Sequence, residues 1–274
     1  MDLQQPNLRT LAASMPSKER TLRVEGVVLQ HSDWGEADRL LSVFTRELGK
    51  VRMVAKGVRK PRSRKAGHVE PFTRSALLLA RGRDLFILTQ AEAIDPYNAV
   101  KEDLVGLGYA AYSIELLSSF TYENEENRDL YRLLVNTLTR LNRGDDPTLV
   151  IHYYEIRLLD LVGYRPQMFT CARCEAPIQP VDQFFSALQG GVMCPNCGRS
   201  SPDARPISVD ALRYLRHFQR SSYVDAIRAR IGPTIEAEIE HLMDFYVTHI
   251  LEKRLNTPKF LKRMLRERSS SADE

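Results

Sequence analysis

The chain of 274 residues contains four cysteines, and all of them fall in one window as two close pairs, Cys171-x-x-Cys174 and Cys194-x-x-Cys197. Two thiolate pairs, each offered from a tight turn, form the donor set of a tetrahedral Zn²⁺ site. Pro177 after the first pair, with Pro195 and Gly198 around the second, supplies the turn residues that such knuckles need. Four thiolates leave no open position for water or substrate, so the expectation is one structural zinc that does no chemistry. A redox dithiol loses on context, because neither pair sits in a strand–CxxC–helix pattern. Secretory disulfides lose as well, because residues 1–20 are polar and lack the apolar core of a signal peptide. His68-Val69-Glu70 has the His-x-Glu form of zinc nucleobase deaminases, which pair it with Pro-Cys-x-x-Cys. Here Met193 precedes Cys194, and the four thiolates already complete a site, so that reading is rejected.

The second chemical set is basic. Lys56, Arg59, Lys60, Arg62, Arg64 and Lys65 follow one another with no acid between them, although the net charge of the whole chain is only +4. An uncompensated run in which three Arg stand among three Lys suits phosphate and base planes. A solvated loop with no partner is the plainer reading of the same residues. Nucleotide chemistry is not indicated: the phosphate loop Gly-x-x-x-x-Gly-Lys-[Ser/Thr] is absent. No nucleophile elbow appears, and the carboxylates are scattered, so an enzyme is not expected. Glu123, Glu125 and Glu126 read as a solvated patch between helices. His152, His217, His241 and His249 have no partner at metal spacing and read as surface or structural residues.

These residues need elements to hold them. Residues 1–20 show no sustained period and are expected to be a disordered leader. From Thr21 short strands follow: Leu22 to Val28, Leu40 to Phe44, Val51 to Ala55, Ser75 to Ala80 and Leu85 to Thr89, the last two joined through Arg81-Gly82-Arg83-Asp84. Five short strands fit a small Greek-key barrel of the oligonucleotide-binding type. Strand number alone does not separate it from an SH3-like barrel; the basic loop after the third strand favours the former. Past Asp95-Pro96 the apolar period becomes helical, with one helix starting near Lys101, another over Leu130 to Leu141 and a third from Pro147 to Gly163. After the cysteines come a helix from Ser208 and a longer one carrying Ile235 to Ile250.

The expected fold class is therefore α+β: an N-terminal five-stranded OB-fold barrel, then a helical bundle interrupted by a four-cysteine zinc lobe. The expected boundaries are a leader at 1–20, the barrel at 21–95, the helical part at 96–268 with a zinc insert at 168–203, and a disordered tail at 269–274. No apolar run approaches the roughly 20 residues of a membrane span, so no membrane role is expected. Reduced thiols with zinc point to the cytoplasm.

Val24-Glu25-Gly26-Val27-Val28-Leu29, Gly35-Glu36-Ala37-Asp38-Arg39-Leu40 and Phe44-Thr45-Arg46-Glu47-Leu48-Gly49-Lys50 resemble the opening of the bacterial RecO recombination mediators. Val54 to Ser63 and Glu70-Pro71-Phe72 continue the resemblance, and the order of parts agrees over most of the chain. The resemblance implies binding of single- and double-stranded DNA, annealing of complementary strands, and joint action with RecR in loading a recombinase. It also implies recognition of the acidic, aromatic-ended tail of single-stranded-DNA-binding protein, and a nucleoid-associated location. DNA contacts are then expected at Lys56, Arg59, Lys60, Arg62, Arg64 and Lys65, with Arg39, Arg46 and Lys50 as secondary candidates. The Gly35–Arg39 stretch also reads as a turn whose carboxylates pair locally with Arg39 or Arg46. Lys259, Lys262, Arg263, Arg266 and Arg268 read as a solvated helix, with a second DNA surface or a groove rim as alternatives. Two rivals keep the same residues: an RNA-binding or translation-associated barrel with a zinc ribbon, and a structural adaptor whose basic loop is incidental.

Overall fold

A computed structural model describes residues 21–261 and 263. The expected leader and tail, and Lys262, Arg266 and Arg268, lie outside the described residues. The chain divides into two compact units: one comprises the residues up to Ala110 together with Thr121–Arg143, the other Ala111–Phe120 and the residues from Gly144 on.

The first unit is built on five strands, β1 (Thr21–Trp34), β2 (Asp38–Thr45), β3 (Gly49–Ala55), β4 (Arg74–Arg81) and β5 (Phe86–Asp95). They close into a barrel in the order β1-β2-β3-β5-β4, the five-stranded Greek key of oligonucleotide-binding folds. Alternation along each strand turns Val24, Val28, Leu41, Val43, Val51, Met53, Leu77, Leu79 and Leu88 inward, all almost fully buried. Each such side chain contributes about 1.5–3 kcal/mol by leaving water. Gly26 is needed where β1 crosses β2, because a Cβ there would lie 2.6 Å from Val43 Cγ1.

Two strands run beyond their sequence-predicted ends, for physical reasons. β1 continues to Trp34 because a bulge between Val28 and Gln30 bends it, so its first half pairs with β4 and its second with β2. The bulge breaks the apolar alternation that marked the strand. β5 continues from Thr89 to Asp95 along β4, where no residue is fully buried and the half-buried apolar positions, Ala91 and Ala93, are small. The seam between β3 and β5 is the parallel one and holds only two registered pairs, Met53 with Phe86 and Val54 with Ile87.

The helix expected near Lys101 is two helices, α1 (Asn98–Glu102) and α2 (Leu104–Phe120). Asp103 separates them: it is extended, and its carboxylate accepts from the Val105 and Gly106 N–H groups as the cap of α2. The acidic stretch 121–126 is not a free solvated loop. Asn124 N–H donates to the Lys50 carbonyl (2.8 Å), and Glu123 pairs with Arg52 of β3 (2.7 Å). Its chain leads into α3 (Arg128–Asn142), capped by Asn127. The Tyr131 hydroxyl on α3 donates to Glu25 of β1 (2.8 Å), which also takes Arg74 (2.6 Å). Burial works against ionisation of Glu25, but these donors hold its carboxyl below the usual carboxylate range.

In the second unit, α4 (Pro147–Leu161) starts at an Asp146 cap with Pro147 in its first turn, and buries Val150, Ile151, Tyr154, Ile156, Leu158 and Leu159. A broad apolar surface of this kind belongs to a helix covered on several sides. It packs with α6 (Val209–Arg220) of the bundle, which is followed by the single turn α7 (Tyr223–Ala226) and packs with α8 (Pro233–Leu251). Tyr214 stacks on Phe218 at 4.2 Å between centroids, and its hydroxyl lies 3.2 Å from His152 Nδ1. His152 is thus a satisfied core residue, and burial lowers its pKa to about 4. Between α4 and α6 the chain forms a small antiparallel sheet in the order β7-β6-β8, made of β6 (Gln183–Ser186), β7 (Gly191–Met193) and β8 (Arg205–Ile207). No helix among the described residues is long and apolar enough to cross a membrane.

Candidate nucleic-acid interface and metal centre

The basic stretch leaves β3 at Ala55 and is pinned to the barrel at both ends. Val58 and Val69 are buried in the barrel core. Gly57 adopts φ 64, the left-handed region open to glycine, and its N–H donates to Asp38 Oδ1 (2.7 Å). The Arg59 N–H donates to the Ala37 carbonyl (2.9 Å), and the turn closes through Lys60 N–H to Gly57 O and Ser63 N–H to Lys60 O. A short 3₁₀ turn at Ala66–His68 follows, and His68 Nδ1 accepts from the Ala93 N–H of β5 (3.1 Å). The loop is a fixed ledge on the barrel.

The ledge sorts the nine candidate cations into two groups. Lys56, Lys60, Arg62 and Arg64 are exposed and make no ion pair among the described residues. The other five are engaged. Lys65 Nζ reaches the Leu88 carbonyl (3.2 Å), and partial burial lowers its pKa. Arg59 pairs with Asp33 (3.2 Å) and donates to the Gly35 carbonyl (3.4 Å). Arg39 pairs with Glu70 (2.8 Å), which also faces His31 (3.4 Å). Burial opposes charge on Glu70, yet the Arg39 and His31 bonds hold its carboxyl low. Arg46 pairs with Glu47 (2.9 Å) and Glu25 (3.5 Å), and Lys50 Nζ donates to the Thr121 carbonyl (2.5 Å).

These pairings refine the local scheme expected for Gly35–Arg39. The Asp38 carboxylate holds the Gly57 turn, Arg39 takes Glu70 and also faces Asp33 of its own hairpin (4.0 Å), and Arg46 takes Glu47 and Glu25. Trp34, half exposed at the tip of the β1–β2 hairpin, was passed over in the sequence. The available signal was a tryptophan next to a turn glycine.

In the cysteine lobe, one ligand atom from each of Cys171, Cys174, Cys194 and Cys197 lies within 4.8 Å of all the others. The Cys174 and Cys194 sulfurs are 3.9 Å apart. A tetrahedron of Zn–S bonds near 2.3 Å has an edge of about 3.8 Å, so the thiols fit that ion. The first knuckle turns at Glu175 (φ 63), whose N–H donates to the Cys171 carbonyl (2.9 Å). The second is a single helical turn, α5 (Pro195–Gly198), in which the Cys197 and Gly198 N–H groups donate to the Cys194 carbonyl. Gly198 lies against Phe184 of β6 so closely that a Cβ would sit 2.3 Å from the ring. Burial raises the Cys171 pKa, but backbone N–H groups of Cys174, Cys194 and Arg173 outweigh it and lower it, while the neighbouring thiols raise that of Cys197, so without a cation the first proton leaves from Cys171 and the last is held at Cys197.

Comparison with known proteins agrees with this arrangement. Residues 20–97 match the family model "Recombination protein O N terminal", and residues 101–259 match "Recombination protein O C terminal". The "DNA repair protein RecO" of Roseiflexus sp. (strain RS-1) is 39% identical over 258 residues, covering 93% of this chain and 91% of the relative. The protein of the same name from Dehalococcoides mccartyi (strain CBDB1) is 33% identical over 237 residues, covering 86% and 93%. That of Bacillus pumilus (strain SAFR-032) is 32% identical over 244 residues, covering 89% and 94%. With a closed five-stranded barrel, a helical part carrying four gathered cysteines, and both halves matched in order, the chain belongs to the RecO family.

Proposed function

We propose that this chain is a non-enzymatic recombination mediator in DNA repair. It binds single- and double-stranded DNA, anneals complementary strands and, with RecR, helps load a recombinase onto DNA coated by single-stranded-DNA-binding protein. It does so in the cytoplasm, at the nucleoid and without a nucleotide cofactor. The observation that carries this reading is the ledge: four open cations, Lys56, Lys60, Arg62 and Arg64, held by buried valines on an oligonucleotide-binding barrel in a RecO-family chain. Such cations displace the counter-ions condensed on any DNA backbone without regard to sequence, which is what an annealing protein needs. Two strands held beside the same cations also repel each other less. Arg59, Lys65, Arg39, Arg46 and Lys50 serve the site by shaping the barrel around it, and they reach phosphate only by exchanging present partners.

One Zn²⁺, held by Cys171, Cys174, Cys194 and Cys197, would supply a structural cross-link between the two knuckles. The barrel (21–95) would carry the DNA site. The helical part (96–268, zinc insert 168–203) would carry the protein contacts, including that for the acidic tail of single-stranded-DNA-binding protein. The test is annealing of complementary strands precoated with that protein, with no nucleotide present. Acceleration that fades as salt rises is expected; no acceleration by folded, zinc-loaded protein rejects the reading.

A further inference from the structure

Trp34 is the single tryptophan of the chain and is 50% exposed, although burying an indole is among the largest apolar gains available to a fold. It ends β1 in register with Asp38 of β2, at a hairpin tip turned by Gly35 at φ 60. Its ring has no aromatic or cationic partner among the described residues. The tip is tied to the basic ledge by four bonds. Arg59 reaches Asp33 (3.2 Å) and the Gly35 carbonyl (3.4 Å), its N–H donates to Ala37 O (2.9 Å), and the Gly57 N–H donates to Asp38 (2.7 Å). The Asp33 charge, which would repel a phosphate, is answered by Arg59 in the same frame.

A fixed, open indole thus stands beside a fixed, open set of cations. Cations alone recognise phosphate, whichever strand carries it. A ring recognises the face of a base, and every interior base of a duplex has its faces covered by its neighbours. We propose that Trp34 is a stacking platform for an unpaired nucleobase, giving the ledge a preference for single strands over duplex. This rests on the reading of the ledge as the DNA site. The platform also gives annealing a direction: once two strands pair, the base leaves the indole, and the duplex is held by phosphate contacts alone.

The test titrates the full-length protein into end-labelled oligothymidylate and into an end-labelled blunt duplex of equal length, reading the anisotropy of the label for every variant and, for the parent, indole emission as well. Emission is expected to change with the single strand and much less with the duplex. Trp34→Ala is expected to weaken single-strand binding about tenfold and to leave duplex binding within about twofold, and Trp34→Phe retains most of the affinity. The triple variant Lys60→Ala, Arg62→Ala, Arg64→Ala is expected to weaken both. If Trp34→Ala binds the single strand as the parent does, or loses both ligands equally, while the triple variant weakens both, the stacking inference is overturned and the ledge stands. A triple variant that binds like the parent overturns the ledge reading itself.

Discussion

The barrel and the cysteine lobe each hold turns in place, by opposite means. In the barrel, Val58 and Val69 sink into a core shared with Leu41, Met53 and Leu79, and burial of apolar surface fixes the basic ledge between them. In the lobe, the strands are only three or four residues long, and their buried apolar side chains are few, Phe185, Val192, Met193 and Ile207. There the fixed points are thiols converging from two knuckles. The difference teaches which parts depend on solution conditions: a core persists wherever water does, but a thiolate cluster persists only with its metal.

Removing the metal is the strongest way to break that contrast. A chelator is expected to make the chain around Cys171–Cys197 protease-sensitive, with the barrel still protected, since structural Zn²⁺ contributes about 10–16 kcal/mol in small zinc domains. An unchanged cleavage pattern in metal-free protein would sink the structural role. The converse perturbation is Leu41→Ala, fully buried in the barrel. It is expected to cost about 2–5 kcal/mol in denaturant melts of the barrel and to leave zinc content unchanged. Loss of zinc in that variant would show that the two regions do not hold themselves independently.

A third perturbation uses pH. Glu155 in the helical unit is buried and bonded by the Tyr112 hydroxyl, and burial, reinforced by Glu240 and Asp244, raises its pKa from 4.5 to about 7. The folded chain keeps this proton over a range where the unfolded chain has lost it. The contribution is therefore fully present below pH 4.5 and lost as pH rises through about 7, on the order of 3 kcal/mol in all. Glu155→Gln is expected to flatten that dependence in chemical denaturation; an equal slope in both proteins would refute the assignment. The smallest effect on stability is expected from Lys56→Ala, Lys60→Ala, Arg62→Ala and Arg64→Ala together, within about 0.5 kcal/mol, because these side chains are exposed. The same variant should lower the slope of log K against log salt by up to about 3 for single strands. A slope equal to the parent's would remove the ledge from the DNA site.

Sequence made the barrel legible where burial imposes alternation, as at Val51, Met53 and Ala55, and failed where backbone geometry took over. The bulge after Val28 breaks the apolar period, and along β5 the period is carried only by Ala91 and Ala93, too small to mark a strand. The cysteines were legible because metal ligation needs particular residue types at fixed spacing. The partition of the cations was not. Lys65 and Arg59 are engaged by the carbonyls of Leu88 and Gly35, groups every residue owns, and Arg39 meets an acid 31 positions away. The break at Asp103 was available in principle, since an Asp before a helical run is a cap, but the continuous apolar period around it concealed the stop.

The parallel seam between β3 and β5 has a kinetic consequence. It offers only two registered pairs, against seven or eight at every other seam, so it is the easiest seam of the barrel to reopen. The basic ledge begins where β3 ends, and Lys65 and His68 bond β5 at Leu88 and Ala93. The ledge is thus the clasp across the loosest junction: when that seam opens the cationic surface comes apart with it, and a breathing barrel has no assembled ledge to offer a nucleic acid.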